Sequence, residues 1–401
     1  MPDRRLRCAL AACAATLLLP PLQAQAKPVL CGIDVLQRDG FAPLRGQRVG
    51  LITNHTGRSR DGTTTLDLFL HSENVRLVAI FSPEHGVAGR LDEKVGDSTH
   101  ASGLPVYSLY GETRQPTAAQ LEGVDTLVFD IQDVGCRFYT YVSTMGLSMQ
   151  AAAAHGKAFV VLDRPNPIGG TEVEGPVLDA GKESFVGWHV LPVRHGMTAG
   201  ELARMFAAEK GIHGELEVVA LEGWEGRRSY DLCDLAWVNP SPNMRSLTEA
   251  FLYPGVGLLE FTNLSVGRGT DTPFEVIGAP WLDGVALARR LHAAEIPGVT
   301  FVPVRFTPTA SKFKGESCGG VQIAITDRAA YRALPLGFGL ACALRAQHAE
   351  QWDCKAYARL LLDDATFAAL QAGKPWREVL AVGADELAAF VKRRESFLLY
   401  R

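Results

Sequence analysis

The sequence RVGLIT, residues Arg48–Thr53, is a short apolar run rich in β-branched side chains, and it predicts a buried strand. A second run of the same kind, RLVAIF, covers Arg76–Phe81. Between the two runs, Thr63–His71 has its apolar residues at the spacing of one helix face. Strand, helix and strand in this order are typical of parallel strands joined by a crossover helix.

The same alternation continues along the first part of the chain. Apolar runs at Pro105–Leu109, Thr126–Ile131 and Ala158–Leu162 predict three further strands, and Thr144–Ala154 predicts a helix. Parallel sheets are covered by helices on both faces, so their strands are apolar throughout rather than alternating with polar residues. We therefore predict an α/β fold built on a parallel sheet.

A proline-rich segment divides the chain. The sequence NPSPN at Asn239–Asn243 interrupts regular structure, so we predict a first domain at residues 27–240. Before this boundary, Thr198 followed by Glu201 predicts a helix that begins with a capping box. After it, apolar strand-like runs and a helix-rich tail predict a smaller α+β domain at residues 241–401.

Composition limits the classes of partner. The chain has 401 residues, 47% of them hydrophobic, which is enough for two packed cores. Its formal net charge is −4, with 21% charged residues. Nucleic-acid-binding proteins usually carry a concentrated basic patch, so we predict no nucleic-acid partner.

Residues 1–26 have the features of a signal peptide. Arginines precede the apolar run Cys8–Leu19, and Ala24-Gln25-Ala26 offers small residues for cleavage. The run is too short for a stable membrane span. We predict cleavage near Ala26 and a periplasmic or secreted protein. Lipid attachment at Cys13 is the less favoured alternative, because the apolar run continues beyond that residue.

Polar side chains follow the ends of the predicted strands. In α/β sheets, ligands bind outside the carboxyl ends of the strands. Carboxylates, amides and tyrosines follow four of the apolar runs, and further polar residues lie in loops that contain glycine. The candidate ligand-binding residues are Asn54, Asp130, Gln132, Arg137, Tyr139, Tyr141, Asp163, Asn166, Arg194, His195, Glu260, Asn263 and Arg268.

The segment SPEHG, residues Ser82–Gly86, gives the strongest indication of a site. Glu84 and His85 lie between a rigid proline and a glycine, directly after an apolar strand. This position gives the carboxylate a defined direction and a neighbouring imidazole, as is typical of functional groups with perturbed pKa values. We predict a catalytic or direct binding role for Glu84, with His85 tuning the site.

Several other candidates have structural alternatives. Asn54 and Asp163 are also typical turn formers and helix caps, because such side chains bond nearby backbone amides. Arg194 also fits a surface ion pair, and His195 also fits a cap of the following helix. These alternatives stay open at the level of sequence.

The sequence lacks two motifs of nucleotide and phosphate sites. There is no GxGxxG or GK[ST] motif. A metal site built from His85, Asp130, Asp163 and His195 lacks the tight ligand spacing of known sites, so we predict no metal. The six cysteines beyond residue 26 are scattered and indicate mostly free thiols, with at most one disulfide. This inventory favours a neutral, hydroxyl-rich substrate and acid/base chemistry by carboxylates.

The same residues lie in motifs of a known family. From about Gly32 onward, the chain resembles the NamZ-type exo-β-N-acetylmuramidases, formerly described only as a domain of unknown function. Three residues depart from the family pattern, namely Cys136, Arg245 and Phe261, and the last lies in the loop of Glu260. The matching motifs are GID (32–34), GLITN (50–54), FSPEHG (81–86), FDIQDVG (129–135), RFYTY (137–141), LDRPNP (162–167), EGP (174–176), RHGMT (194–198), PSPNM (240–244) and SVGRGT (265–270).

The resemblance implies a Rossmann-like N-terminal domain, a smaller C-terminal domain and a cleft between them. It also implies release of N-acetylmuramic acid from the non-reducing end of peptidoglycan fragments, without a cofactor. Glu84 matches the proposed catalytic glutamate of the family. Glycosidic cleavage ordinarily needs a second group beside the acid, for which Glu174, Asp130 and Asp163 are candidates.

The expected partners are therefore peptidoglycan-derived muramyl saccharides. Muramic acid carries a lactyl carboxylate, and a guanidinium group binds carboxylates in a bidentate way. Arg137, Arg194 and Arg268 are candidates for this contact. The oligomeric state does not follow from the sequence.

Three alternative functions fit the same sequence. The first is an exo-lyase that acts on the same muramyl substrate by elimination, since the lactyl ether is a possible leaving group. The second is a periplasmic sugar-binding protein without turnover, because two α/β domains around a cleft describe such proteins too. The third is a metal-dependent hydrolase.

Overall fold

The computed structural model describes residues 28–89 and 96–400, so the predicted signal peptide, with Ala26 and Cys13, lies outside the described residues. Within this part, the strands are β1 (Arg48–Thr53), β2 (Arg76–Ser82), β3 (Ser98–Thr99), β4 (Pro105–Ser108), β5 (Thr126–Asp130), β6 (Ala158–Leu162), β7 (Glu174–Val177), β8 (Pro192–Arg194), β9 (Leu216–Val219), β10 (Val276–Ala279), β11 (Val299–Phe306) and β12 (Cys318–Ile325).

Helices separate most of these strands. The α-helices are α1 (Gly32–Arg38), α2 (Thr65–His71), α3 (Ala118–Leu121), α4 (Tyr141–Ala154), α5 (Ala199–Glu209), α6 (Leu247–Val256), α7 (Gly284–Ala293), α8 (Ala333–Gln347), α9 (Ala358–Leu361), α10 (Asp364–Gln371), α11 (Trp376–Ala381) and α12 (Ala384–Arg394). Short 3₁₀ turns lie at Ala42–Leu44, Tyr230–Leu232, Gly257–Leu259 and Cys354–Tyr357.

The largest sheet is mostly parallel and has the strand order β3-β4-β2-β1-β5-β6-β9. Every neighbouring pair is parallel except β3 with β4 at the edge. Strands β1 and β5 are central, and they pair from Val49 with Thr126 to Thr53 with Asp130. This register places the carboxyl ends of the central strands side by side, at the edge where ligands bind in sheets of this kind.

The two faces of the sheet are covered by separate hydrophobic clusters. In β5, Leu127 and Phe129 belong to one cluster, whereas Val128 belongs to the other. In β6, Phe159 belongs to the first cluster and Val160 to the second. Alternate side chains of a strand point to opposite faces, so burial of both faces explains why these strands are apolar throughout.

The C-terminal part contains a three-stranded antiparallel sheet of order β10-β12-β11, with several helices around it. Its buried side chains, such as Phe338 and Phe390, belong to the same cluster as Phe129 of the large sheet. The C-terminal part therefore packs against one face of the parallel sheet. The predicted division at residue 240 falls in the loop that precedes α6.

The predicted fold class is confirmed: a parallel sheet with flanking helices is followed by a smaller part with an antiparallel sheet. The runs Arg48–Thr53 and Ala158–Leu162 form strands with the predicted bounds. The predicted capping box is also present, because Thr198 accepts a hydrogen bond from the Glu201 amide and Glu201 bonds back. The sequence did not predict α1 or the hairpin of β7 and β8.

Other described features bear on the class of protein. No helix of residues 28–89 and 96–400 has the length and apolar character needed to cross a membrane. The six cysteines in this part of the chain are unpaired. Burial raises the pKa of the Cys31 thiol to about 12, so this group stays protonated at neutral pH.

Helix α1 lies against the backbone of the sheet at Gly32. The Gly32 amide donates to the Asp163 carbonyl at 2.8 Å. A Cβ atom at Gly32 would lie 2.5 Å from the Asp163 nitrogen and 2.6 Å from the Val219 oxygen. These are backbone atoms that cannot rotate away, so a residue without a side chain is required here.

We predict that Gly32→Ala lowers the free energy of unfolding by about 1–3 kcal/mol or more, because the added methyl group overpacks a rigid contact. Gly123→Ala is the matched control, since a Cβ atom at that position has no neighbour within 4 Å. Urea unfolding of both variants measures the difference. Equal destabilisation by the two substitutions would contradict the close contact at Gly32.

Candidate active site

Loops that follow the parallel strands meet segments of the C-terminal part around a cavity of about 560 Å³. This is the size of a typical small-molecule site. The residues that line it are Glu84, His85, Tyr110, Arg114, Phe138, Tyr139, Thr140, Tyr141, Ser184, Phe185, Val186, Ser241, Met244, Tyr253, Glu260, Phe261, Arg268, Phe274, Ser311 and Leu360.

Glu84 lies in the turn that follows β2, and its carboxylate faces the cavity. The next two residues, His85 and Gly86, have φ angles of 70° and 73°. Left-handed backbone is uncommon for residues other than glycine, and positions of this kind cluster at functional sites. The turn therefore holds Glu84 in a defined direction at the end of the strand.

Two hydroxyl groups lie close to the Glu84 carboxylate. Thr140 Oγ1 donates a hydrogen bond to Glu84 Oε2. The Tyr110 hydroxyl lies on the cavity wall, where burial and the interaction with Glu84 raise the pKa of Tyr110 to about 12. Tyr110 therefore keeps its proton at neutral pH and presents a polar, uncharged group beside the carboxylate.

Aromatic rings form one wall of the cavity. The Tyr139 ring lies 5.0 Å from the Tyr141 ring and 5.8 Å from the Tyr253 ring, both nearly edge-on. The Tyr141 hydroxyl donates to the Pro240 carbonyl at 2.6 Å, which connects this wall to the proline-rich segment. Edge-to-face packing and this bond fix the rings, and aromatic surfaces of this kind suit the apolar faces of sugars.

Two arginines contribute positive charge to the cavity. Arg268 forms an ion pair with Glu260, and both side chains are largely buried. Arg114 instead lies over aromatic rings, with its guanidinium carbon 3.9 Å from the Phe185 ring centre and 4.8 Å from that of Tyr110. The cavity thus combines carboxylates, hydroxyls, aromatic faces and guanidinium groups.

The structure brings six of the predicted site residues to the cavity. These are Glu84, His85, Tyr139, Tyr141, Glu260 and Arg268. Ten others lie outside the cavity lining, in buried or loop contacts: Asn54, Asp130, Gln132, Arg137, Asp163, Asn166, Glu174, Arg194, His195 and Asn263. For these ten, the structure shows contacts with framework groups, and their direct roles in catalysis or binding stay predictions.

Asp130 is fully buried at the end of β5 and forms an ion pair with Arg164. Arg164 Nη2 donates to Asp130 Oδ2 at 2.9 Å and to the Arg58 carbonyl at 2.8 Å. Thr65 Oγ1 donates to the same carboxylate oxygen. The carboxylate is thus fully occupied by framework contacts, which explains why it does not reach the cavity.

Asp163 is also fully buried and connects the first α/β domain to the end of the chain. It accepts hydrogen bonds from the Gly200 amide at 2.8 Å, from Thr198 Oγ1 at 2.7 Å and from the Tyr400 hydroxyl at 2.7 Å. Burial raises the pKa of Asp163 despite these donors. The contacts of Asp163 at the start of α5 therefore agree with the helix-cap alternative considered above.

Glu174 and Arg194 form a buried ion pair at 2.5 Å between β7 and β8. The second oxygen of Glu174 accepts from the Leu334 amide of α8 at 3.0 Å. Glu174 therefore joins the hairpin to the C-terminal part rather than reaching the cavity. Arg194, treated above as a possible surface ion pair, is instead 3% exposed.

Arg137 is 1% exposed, and its guanidinium group donates to four backbone carbonyls. They belong to Pro176, Leu191, Leu360 and Leu361. Burial lowers the pKa of Arg137 to about 10, so the side chain stays charged at neutral pH. With both terminal nitrogens bonded to backbone oxygens, Arg137 joins segments of both parts of the chain.

The remaining five predicted residues bond loop backbone. The contacts are Asn54 Oδ1 with Thr56 N (2.9 Å), Gln132 Nε2 with Pro165 O (2.8 Å), Asn166 Nδ2 with Met197 O (3.0 Å), His195 Nδ1 with Met197 N (3.2 Å) and Asn263 Nδ2 with Gln351 O (2.7 Å). The turn-former alternative for Asn54 therefore agrees with its observed contact.

Several residues of the cavity were not among the sequence candidates. Tyr110 and Arg114 follow β4, which ends at Ser108. The rule that ligands bind beyond strand ends could have indicated both residues, had it been applied to this strand as well. Phe185 and Phe274 come from loops whose sequence gives no comparable signal. Their place in the cavity depends on tertiary packing.

Within residues 28–89 and 96–400, no three metal-ligating side chains lie close enough together to hold a metal ion. His85, Asp130, Asp163 and His195, considered above as a metal set, have separate contacts. Asp130 pairs with Arg164, and His195 lies 3.5 Å from Asp133.

Comparison with known proteins identifies the family. A model described as the N-terminal part of the exo-β-N-acetylmuramidase NamZ matches residues 49–248, and its C-terminal counterpart matches residues 251–400. The chain belongs to the NamZ family. It is 41% identical, over 387 residues, to the peptidoglycan β-N-acetylmuramidase NamZ of Bacillus subtilis strain 168, covering 94% of this chain and 93% of that protein.

Two crystal structures of proteins from Bacteroides fragilis NCTC 9343, described as DUF1343 family proteins, share the NamZ-family fold seen here. The first superposes with a TM-score of 0.83 at 36% identity and covers 93% of this chain and 99% of its own. The second has a TM-score of 0.76 at 30% identity and covers 94% of this chain and 99% of its own. The resemblance to the NamZ family in the sequence is thus confirmed over nearly the whole chain.

We predict that Glu174→Gln lowers the free energy of unfolding by about 3–5 kcal/mol, because it leaves the buried charge of Arg194 without a partner. Glu84→Gln is the matched control, since Glu84 lies at the cavity surface without an ion pair among the described residues. Urea unfolding of both variants makes the comparison. A larger loss of stability for Glu84→Gln would contradict the framework role of Glu174.

Proposed function

We propose that this protein is an exo-acting β-N-acetylmuramidase that releases N-acetylmuramic acid from the non-reducing end of peptidoglycan fragments, with Glu84 as the general acid. The activity is supported by membership of the NamZ family and by the relative named as a peptidoglycan β-N-acetylmuramidase. The observation that carries the role of Glu84 is its position on the cavity wall, in a turn held by left-handed backbone.

The contacts of Glu84 fit the donation of a proton. Thr140 donates to Oε2, so Oε1 is the oxygen that carries the proton in the acid form. A carboxylic acid in this position protonates the glycosidic oxygen as the bond to the sugar breaks. The aromatic rings beside Glu84 hold the sugar ring and limit the access of water.

A second carboxyl group is needed to assist the attack or to stabilise the positive charge that develops on the sugar. Glu260 lines the same cavity, whereas Glu174, Asp130 and Asp163 do not. We assign this assisting role to Glu260. Its carboxylate forms an ion pair with Arg268 in the same cavity.

We also propose export of the protein, which rests on the sequence of residues 1–26. The arginines, the apolar run and the small residues before Lys27 are those of a cleaved signal peptide. A substrate derived from peptidoglycan is consistent with a periplasmic or secreted location.

We predict that Glu84→Gln lowers kcat on a chromogenic β-N-acetylmuramide by about 10²–10⁴-fold, the usual contribution of a general acid. Binding of the substrate should survive, because glutamine keeps the shape and the hydrogen bond with Thr140. Steady-state kinetics and calorimetry on the same preparation measure the two quantities. Turnover at the wild-type rate would remove Glu84 from the mechanism.

The product identifies the reaction. Hydrolysis of a disaccharide of muramic acid and glucosamine should release N-acetylmuramic acid with the mass of the intact sugar, as measured by mass spectrometry. A product lighter by one water, or by lactic acid if the lactyl ether is the group that leaves, would indicate elimination instead. Absence of turnover on any muramyl substrate would favour a sugar-binding protein.

We predict that the protein secreted by an expressing bacterium begins at Lys27, because cleavage after Ala26 fits the small residues at that site. Amino-terminal sequencing of the exported protein checks this. A lipid-modified Cys13 at the amino terminus, or an intact Met1 in an intracellular protein, would contradict the proposal.

A further inference from the structure

Two guanidinium groups line the cavity, but their charges are compensated differently. Arg268 forms an ion pair with the carboxylate of Glu260. Within the described residues, no carboxylate lies within the ion-pair distance of 4.0 Å from Arg114. Arg114 therefore brings a positive charge to the cavity that no side chain of the described part neutralises.

The position of Arg114 is set by aromatic packing rather than by charge. Its guanidinium carbon lies 3.9 Å from the centre of the Phe185 ring and 4.8 Å from the centre of the Tyr110 ring. The two rings are themselves 6.0 Å apart. Packing of this kind holds the plane of the guanidinium group and leaves its N–H edge available to an anion.

Tyr110 connects this cation to the proposed acid. Its ring contacts Arg114, and its hydroxyl interacts with both Arg114 and Glu84. An anionic group bound to Arg114 would therefore lie on the same side of the cavity as the carboxyl that protonates the substrate.

N-acetylmuramic acid differs from N-acetylglucosamine by a lactyl ether that carries a carboxylate. We infer that Arg114, held between Phe185 and Tyr110, binds this carboxylate and selects muramic acid over neutral amino sugars. The inference rests on the proposed function. It differs from the expectation drawn from the sequence, which named Arg137, Arg194 and Arg268 for the same contact.

The three arginines expected from the sequence are less suitable for this role. Arg137 and Arg194 are almost fully buried and bond framework groups. Arg268 lines the cavity, but it would have to share its charge between Glu260 and the substrate. Arg114 has no ion pair with a described residue that it would have to break in order to bind an anion. The free-energy cost of binding an anion is therefore lower for Arg114 than for Arg268.

The test compares two chromogenic substrates, a β-N-acetylmuramide and its analogue with the lactyl carboxyl converted to a primary amide. For Arg114→Gln, kcat/KM on the acid should fall about 10- to 100-fold, the size expected for a lost charge-assisted hydrogen bond. The same variant should change kcat/KM on the amide less than about threefold. Arg114→Lys should lie between, because lysine keeps the charge and loses the planar fork.

Two controls make the result specific. Arg114 is exposed, so the unfolding midpoint of Arg114→Gln should match that of the wild type. The double variant Glu260→Gln/Arg268→Gln removes the other charge pair together. It should lower kcat/KM on both substrates and leave the ratio of acid to amide as in the wild type.

An unchanged ratio in Arg114→Gln, or a ratio that collapses only in the double variant, would overturn the inference and leave the proposed function intact. Equal wild-type turnover of acid and amide would overturn it as well. If the wild type cleaves neither compound, the proposed function fails. In that case, calorimetry of the binding of free N-acetylmuramic acid and of its lactyl amide tests the carboxylate contact separately. If Arg114→Gln loses binding of the acid but keeps binding of the amide, the contact is supported.

Discussion

The buried ion pair of Asp130 and Arg164 is the interaction on which the sheet edge depends. It joins the end of β5 to the segment after β6, and through the Arg58 carbonyl and Thr65 it reaches the loop after β1. A buried pair contributes little net stability unless its remaining hydrogen bonds are satisfied, and removal of one partner is costly. Its main effect here is to hold three strand-end loops in one arrangement.

The site lies at this fixed edge of the sheet. Glu84 follows β2, a neighbour of β1, and Thr140 begins the helix after β5. The acid and the group that orients it therefore follow β2 and β5, the two strands on either side of β1 in one sheet. Glu260 and Arg268 come from the C-terminal part, which packs on the same hydrophobic cluster. Precise placement of the two carboxyl groups thus depends on packing between the two parts of the chain.

The sequence predicted the sheet well because strands buried on both faces are apolar throughout, as in Arg48–Thr53. It also predicted a site at Glu84, and this residue lines the cavity because strand ends meet at one edge. It could not separate ligands from framework residues, because a buried aspartate such as Asp130 and a cavity carboxylate have the same local sequence features. Contacts made through tertiary packing, such as that of Arg114 with Phe185, lie beyond any local pattern.

Tyr400 donates to Asp163 from 237 residues further along the chain, and its hydroxyl also accepts from the Leu221 amide. The carboxyl end of β6 is therefore completed by residues that the ribosome adds long after the sheet itself. Contacts of such high sequence separation form late and slow the folding of a domain. During synthesis, the carboxyl end of β6 would therefore lack these contacts until the Tyr400 segment arrives.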